Sequence, residues 1–403
     1  MIVVFVNPIG ALGGAERMLL AMMSALQYED PEMEIHLIVG SEGNLIEAAQ
    51  KLGVKVQVLS IPTQITKLGD SGIKGNKVLG ALSIIFAVLM AWGIINKYLK
   101  NLRAIIREID PDIVHSNGIK SHILTAMANL RLPVIWHIHD FYSTRPFIAS
   151  VLRHFSNRAE VGIACSEAVG EDASRVLPKL NIKVIYNAVD TDYFYPRPFR
   201  PLALEGIGTE TKSIKVGLVA TFARWKGHDI FLEAASMVIR DRPSLDVRFY
   251  IIGAPIYITS GSQFSLQELQ KLADRLGIGD RVEFLGFQAN MPDIYLWLDL
   301  VIHASTQPEP FGYTIAEAMA CGRPVIVARS GGAAELFIND VEAVAVNPRD
   351  AATLAVTIEY LICNPEHRHK LGENARKKVV KSFNQNQLGS QIILLYKLLA
   401  QPF

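Results

Sequence analysis

The sequence is poor in cysteine: Cys165, Cys321 and Cys363 are the only three in 403 residues, far apart and with no CxxC spacing. That excludes a disulfide framework and a thiolate metal site, and fits reduced thiols in a cytoplasmic protein. Charge of one sign is also lacking. Against 40 Lys and Arg stand 39 Asp and Glu, a formal charge of +1, so nucleic acid is not the expected partner. Low-complexity stretches and tandem repeats are missing, and with 50% hydrophobic and 20% charged residues the chain has no disordered signature. Nor is there a dinucleotide fingerprint: Gly10, Gly13 and Gly14 follow the first apolar run without GxGxxG spacing, and no acidic residue ends the second strand. A nicotinamide dehydrogenase is disfavoured on that ground. The opening MIVVFVNP has no basic leader and reads as a buried strand, not a signal peptide.

Long charge-free runs are rare, with one exception. No charged residue lies between Val78 and Ile95, and Lys74, Lys77, Lys97, Lys100 and Arg103 flank the run. Its length makes it a membrane-helix candidate. A crossing would put residues 1–77 and everything after 96 on opposite sides of a bilayer, splitting the strands of one sheet. The expectation is therefore a long apolar helix within 75–109, either buried against the sheet or a partner, or lying in one leaflet. Trp92, Tyr98 and the lysines at its end favour peripheral contact at the cytoplasmic face of the membrane.

What is present is an alternation of short β-rich apolar runs with helical stretches. The runs are VVFVN (3–7), IHLIVG (35–40), VKVQVLS (54–60), DIVHSN (112–117), PVIWHIH (133–139), VGIAC (161–165) and IKVIYN (182–187), then IKVGLVA (214–220), DVRFYIIG (246–253), RVEFLGF (281–287), DLVIHAS (299–305), PVIVAR (324–329) and AVAV (343–346). They are continuous in hydrophobicity, as expected of parallel strands buried on both faces. The length fits two α/β domains of about 200 residues each. A stretch rich in Pro, Gly and Thr marks a linker at 196–212. The expected division is an N-terminal Rossmann-like domain over 1–195, a C-terminal one over 213–383, and a helix over 384–403 that returns to the first.

Four local signals carry chemistry. Glu309 and Glu317 bracket Pro-Phe-Gly-Tyr-Thr just past run 299–305, where an open α/β sheet places its ligands. Gly312 permits a tight turn into the helix bearing Glu317, so the amides of Phe311, Gly312, Tyr313 and Thr314 sit at a helix N-terminus suited to a diphosphate. Glu317 can accept from two ribose hydroxyls and Glu309 from hydroxyls of a sugar; alone, each also serves as an ordinary loop or helix-start carboxylate. The second signal is Gly13 and Gly14, which let a ligand approach the backbone closely or simply make a tight turn. Third, alternation puts His137 and His139 on one face of their strand. His139 at the carboxyl end can bond a sugar hydroxyl, while His137 reads as structural, and no third ligand completes a metal site. Fourth, Arg224 and Lys226 after run 214–220 can offset charge on a leaving diphosphate or remain solvated.

Taken together the chain resembles the retaining two-domain glycosyltransferases of family 4, with the GT-B fold: two Rossmann-like domains facing each other across a cleft. GGAERMLL, SEGNLIEAAQKLGVKV, PDIVHSN, VIWHIHD, IACSEAV, VIYNAVDTDYF, ATFARWKGHDIFLEAA, VEFLGF, EPFGYTIAEAMACGRPVIV and GGAAE match in order. The resemblance implies a nucleotide-diphosphate sugar as donor and a glycan or lipid-linked acceptor. Glu317 would bind the donor ribose and Glu309 its sugar, with Phe311 and Gly312 amides assisting. Lys226 would hold the diphosphate, Gly14 would approach it from the other domain, and His139 would lie near the transferred sugar. The base would be read near Gly286 and Phe287. The position of the family's diphosphate-binding arginine falls on Thr221, leaving Arg224 as the loop's second cation. Transfer would retain anomeric configuration without an enzyme nucleophile, a donor phosphate oxygen taking the acceptor's proton. No cofactor or metal is required, since Lys226 and the amides supply positive field; Asp110 with Asp112, and Asp190 with Asp192, do not sit where a metal–nucleotide motif would. The rival readings are a nucleotide-sugar 2-epimerase of the same architecture and a degenerate glycosyltransferase that only binds.

Overall fold

The computed structural model describes residues 1–63, 77–198, 213–255 and 261–400, with 77–91 described by backbone alone. The chain divides into two compact units: Met1–Ala188 with Gln385–Phe403, and Val189–Asn384.

In the first unit the strands are β1 (Ile2–Asn7), β2 (Glu34–Val39), β3 (Lys55–Val58), β4 (Ile113–Asn117), β5 (Val134–Ile138), β6 (Val161–Ala164) and β7 (Ile182–Val184). They form one parallel sheet in the order β3-β2-β1-β4-β5-β6-β7. All five residues of β4 and of β5 are buried, whereas edge strand β3 alternates exposed and half-buried, which is why the central runs are continuously apolar. The connecting helices include α1 (Gly14–Glu29), α2 (Asn44–Lys51), α3 (Lys77–Ile109), α4 (Ile119–Ala128), α5 (Pro146–Phe155) and α6 (Glu167–Val176). Over α3, side chains are described from Trp92 onward. Ile95, Tyr98, Leu99, Leu102 and Ile106 are buried, while Trp92 and Ile94 are exposed. The apolar residues 78–91 of the anticipated membrane-contacting segment lie outside the described side chains. No helix among the described residues is long and apolar enough to cross a membrane.

The second unit repeats the plan. β8 (Ile214–Val219), α7 (His228–Asp241), β9 (Val247–Ile252), α8 (Leu266–Arg275), β10 (Val282–Gly286), α9 (Met291–Trp297), β11 (Leu300–His303), α10 (Tyr313–Ala320), β12 (Val325–Ala328), β13 (Val344–Val346), α11 (Ala351–Cys363) and α12 (Pro365–Ser382) follow in sequence. The parallel order is β10-β9-β8-β11-β12-β13. Val216, Leu218, Phe231, Phe249, Ile251, Leu300, Ile302 and Ile326 fill its core. In both sheets the strand order reverses beside the first strand, at β1/β4 and at β8/β11. Ligand crevices of open sheets lie outside the carboxyl ends at such points.

The units part at Ala188/Val189, earlier than the Pro-rich stretch, of which 199–212 lie outside the described residues. The reason is local packing. Arg376 donates to the carbonyls of Thr191 (3.1 Å) and Phe194 (2.7 Å), Arg197 pairs with Asp293 (2.9 Å), and the Phe194 ring meets Tyr295. The last helix, α13 (Gln385–Leu399), belongs to the first unit and packs on α1. Ser390 donates to Glu29 (2.9 Å), and Gly389 lies so close to Ala25 that a Cβ there would stand 2.8 Å from its carbonyl oxygen.

Candidate active site

At the carboxyl end of β11, four side chains converge. Glu309 Oε2 accepts from Lys226 Nζ at 2.6 Å and from Ser305 Oγ at 3.2 Å, with His303 Nε2 at 3.3 Å. Strand alternation continued past β11 explains why His303 and Ser305 share a face. The backbone of Glu309 is pinned as well, its N–H donating to Ser330 and its carbonyl accepting from Gly332 (2.8 Å). Burial alone would raise this carboxyl. The Lys226 ammonium and the His303 hydrogen bond outweigh it and hold the group down at about 2, so Glu309 is an anion. Lys226 sits in a one-turn 3-10 segment, Arg224–Lys226, with its ammonium 4.1 Å from the Trp225 ring centroid. Gly227 follows with φ +73°. A Cβ there would stand 1.9 Å from the Ala304 carbonyl oxygen, so only glycine lets this turn lie against the end of β11.

Gly312, at φ +106°, caps α10 and turns the chain so that the first amides of that helix have no intrahelical acceptor. Phe311 is buried beneath, edge-on to Tyr313 and Phe383. Within α10, Glu317 is half-buried and its Oε2 accepts from the fully buried Tyr295 hydroxyl at 2.7 Å. Gly286 ends β10 with φ +65°, and Phe287 beside it is 59% exposed. Arg224 is engaged elsewhere. It pairs with Glu268 at 2.7 Å, donates to the Gly261 carbonyl and stacks over Phe264 at 4.3 Å, apart from the Lys226–Glu309 group.

Two models of known families match successive parts of the chain: Glycosyltransferase Family 4 over residues 12–193 and Glycosyl transferases group 1 over 202–378. The chain belongs to the family 4 glycosyltransferases. This glycosyltransferase is similar to N-acetyl-alpha-D-glucosaminyl L-malate synthase of Bacillus anthracis, 25% identical over 71% of this chain and 74% of that protein. It is 30% identical to D-inositol 3-phosphate glycosyltransferase of Rhodococcus erythropolis over 63% of this chain and 56% of the relative. Among solved structures it is similar to HepE of Anabaena in complex with UDP-glucose, with a TM-score of 0.78, 25% identity, and 99% and 100% of the two chains covered. The architecture is that of GT-B glycosyltransferases.

In the first unit of this glycosyltransferase a second polar group stands at the β1/β4 reversal. His139, just past β5, bonds through Nε2 to Asn117 Oδ1 at 2.6 Å. Asn117 donates to Asn7 Oδ1 at 2.7 Å, and Asn7 donates to the Ile9 carbonyl (2.6 Å) and to Glu16 Oε1 (3.4 Å). The other Glu16 oxygen accepts from the Gly13 amide at 3.1 Å, at the start of α1 where Gly14 opens the helix. His137 is fully buried. Its ring stacks on His139 at 4.3 Å and bonds to His115 at 3.1 Å, which in turn meets the Tyr396 hydroxyl of α13 at 2.5 Å. Burial lowers the imidazoles of His139 to about 4 and His115 to about 3, so both are neutral near pH 7. Among the described residues no group of three or more His, Cys, Asp or Glu side chains is arranged to hold a metal ion.

Sequence reasoning missed Asn7, Glu16, Asn117, Tyr295, His303 and Ser305. For two of them a signal exists: His303 and Ser305 alternate across the end of β11, just before Glu309.

Proposed function

We propose that this glycosyltransferase moves a hexose from a uridine diphosphate sugar to an acceptor hydroxyl with retention of anomeric configuration. The Lys226–Glu309 pair carries the reading. An ammonium has three N–H groups; one serves Glu309, leaving two for oxygens of a diphosphate seated at the start of α10. The acceptor oxygen bonds to the anomeric carbon on the face that the diphosphate leaves. The bond from that carbon to the phosphate oxygen breaks, and the leaving phosphate takes the acceptor's proton. Lys226 and the α10 amides stabilise the charge that develops. Glu309 holds sugar hydroxyls, assisted by the amides of Phe311 and Gly312. Glu317, fixed by Tyr295, accepts from the ribose. Gly286 and Phe287 meet the base, and in the first unit His139 serves a substrate hydroxyl while Gly14 opens α1 for the close approach of a ligand. The UDP-glucose bound by HepE supports a uridine donor. Arg224 has no part in this reading.

For the acceptor we favour a lipid-linked or polysaccharide-precursor glycan met at a membrane surface. Trp92 and Ile94 are exposed one to about two turns before Lys97 and Lys100, an arrangement suited to a leaflet.

Calorimetric titration with UDP-, GDP- and ADP-sugars tests the donor. UDP-sugars are expected to bind, and Glu317→Gln to weaken them by about 10-fold or more, the loss of charged hydrogen bonds to ribose. No binding of any UDP-sugar, or unchanged affinity in Glu317→Gln, would sink the assignment. Sedimentation with anionic vesicles checks the surface contact, which Trp92→Ser with Ile94→Ser should abolish.

A further inference from the structure

The polar chain that ends on His139 has a direction set by its far end. The Ile9 carbonyl can only accept, so the group of Asn7 that faces it at 2.6 Å is the amide nitrogen. The same nitrogen faces Glu16 Oε1. Asn7 therefore offers its oxygen to Asn117, which must answer with Nδ2. The oxygen of Asn117 is then the atom 2.6 Å from His139 Nε2, and that nitrogen must carry a hydrogen. Asn7 and Asn117 are each 1% exposed, so water does not compete for these bonds.

We propose that Glu16, Asn7 and Asn117 are positioning residues that lock His139 in the Nε2–H tautomer, leaving Nδ1 as a hydrogen-bond acceptor for a substrate hydroxyl. The substrate part of this rests on the function proposed above; the tautomer does not. The relay has a second output. Its terminal carboxylate also holds the Gly13 amide, so one buried group sets both the imidazole and the glycine turn that opens α1. An unlocked imidazole presents a donor or an acceptor in turn; a locked one recognises a hydroxyl only through its hydrogen. Burial keeps the His139 ring neutral at pH 7; His137 stacked on it, His115 behind and Asn117 bring no charge, and Asp140, its neighbour in sequence, is the acidic group beside it.

The test uses the full chain with nitrogen-labelled histidine, His139 being assigned by the signal lost in His139→Gln. Wild type should show a hydrogen on Nε2 and none on Nδ1 at pH 7. Asn117→Leu should release the ring to a mixture of tautomers and lower turnover by about 10- to 100-fold, as misplacement of a contact group does. The isosteric Asn117→Asp places a carboxylate on Nε2. It should keep the tautomer but raise the His139 pKa by about 1 unit or more, moving the acid limb of the rate profile by the same amount. A hydrogen on Nδ1 in wild type, an unchanged tautomer in Asn117→Leu, or an unmoved pKa in Asn117→Asp would each overturn the proposal. Absence of donor turnover in wild type would overturn the proposed function while the nuclear resonance readout still decides this one.

Discussion

The Lys226–Glu309 pair can be weighed by removing each partner alone and both together, as Glu309→Gln, Lys226→Met and the double variant. Glu309 is held at about 2 against an ordinary 4.5. A difference of about 2.5 units corresponds to about 3 kcal/mol of stability in the anionic form. Because the folded-state value is depressed, this contribution is complete above pH 4.5 and disappears as pH falls through 2. At pH 7 it is fully present. The side chains of Lys226 and Glu309 are only 17% and 11% exposed, so either single change strands the surviving charge away from water. Each should cost about 3 kcal/mol, whereas the double variant should recover much of the second loss, a coupling of about 2 kcal/mol. Urea unfolding at pH 7, followed by hydrogen exchange of β8 and β11, isolates the second unit from the first. Additivity within about 0.5 kcal/mol would refute the electrostatic account.

Two further outcomes follow from the same geometry. Gly227→Ala should destabilise the second unit by about 2 kcal/mol or more, through a positive φ and a backbone collision, and should weaken UDP binding by displacing Lys226; thermal unfolding and titration with UDP measure both, and wild-type values in each would contradict it. His115 and His139 have folded-state values near 3 and 4, below the ordinary 6.5, so the unfolded chain gains protons first. Stability of the first unit is complete above about pH 6.5 and should fall towards pH 4 by about 1.4 kcal/mol per pH unit for each ring. Hydrogen exchange of β4 and β5 across pH 7 to 5 reads that slope; His115→Asn should reduce it, and a flat response would be the contrary result.

The strands were legible because central parallel strands need apolar residues on both faces, and VVFVN or PVIWHIH have no other plausible use in a chain of this composition. The turn at Gly312 was legible too, since a glycine between a strand end and an apolar helix has few functions. Long-range polar partners left no trace. Asn7 and Asn117 are 110 residues apart and meet only because β4 returns beside β1. Tyr295 looks like one more aromatic on a short helix until α9 and α10 bring its hydroxyl to Glu317. Arg224 illustrates the converse: its spacing from Lys226 points to shared work, yet Glu268 and Phe264, contributed by and just before α8, draw it aside.

That the last helix completes the first unit bears on how the protein is made. The second unit is a single uninterrupted stretch and has all of its strands once residue 384 has left the ribosome. The first has its sheet much earlier, yet the face of α1 that meets α13 stays open and His115 lacks the Tyr396 hydroxyl until Gln385–Leu399 emerges. Biogenesis is thus inverted relative to the usual order of vectorial synthesis, in which the leading domain matures first. For this interval the nascent chain carries a bare apolar helix face, a natural station for a chaperone.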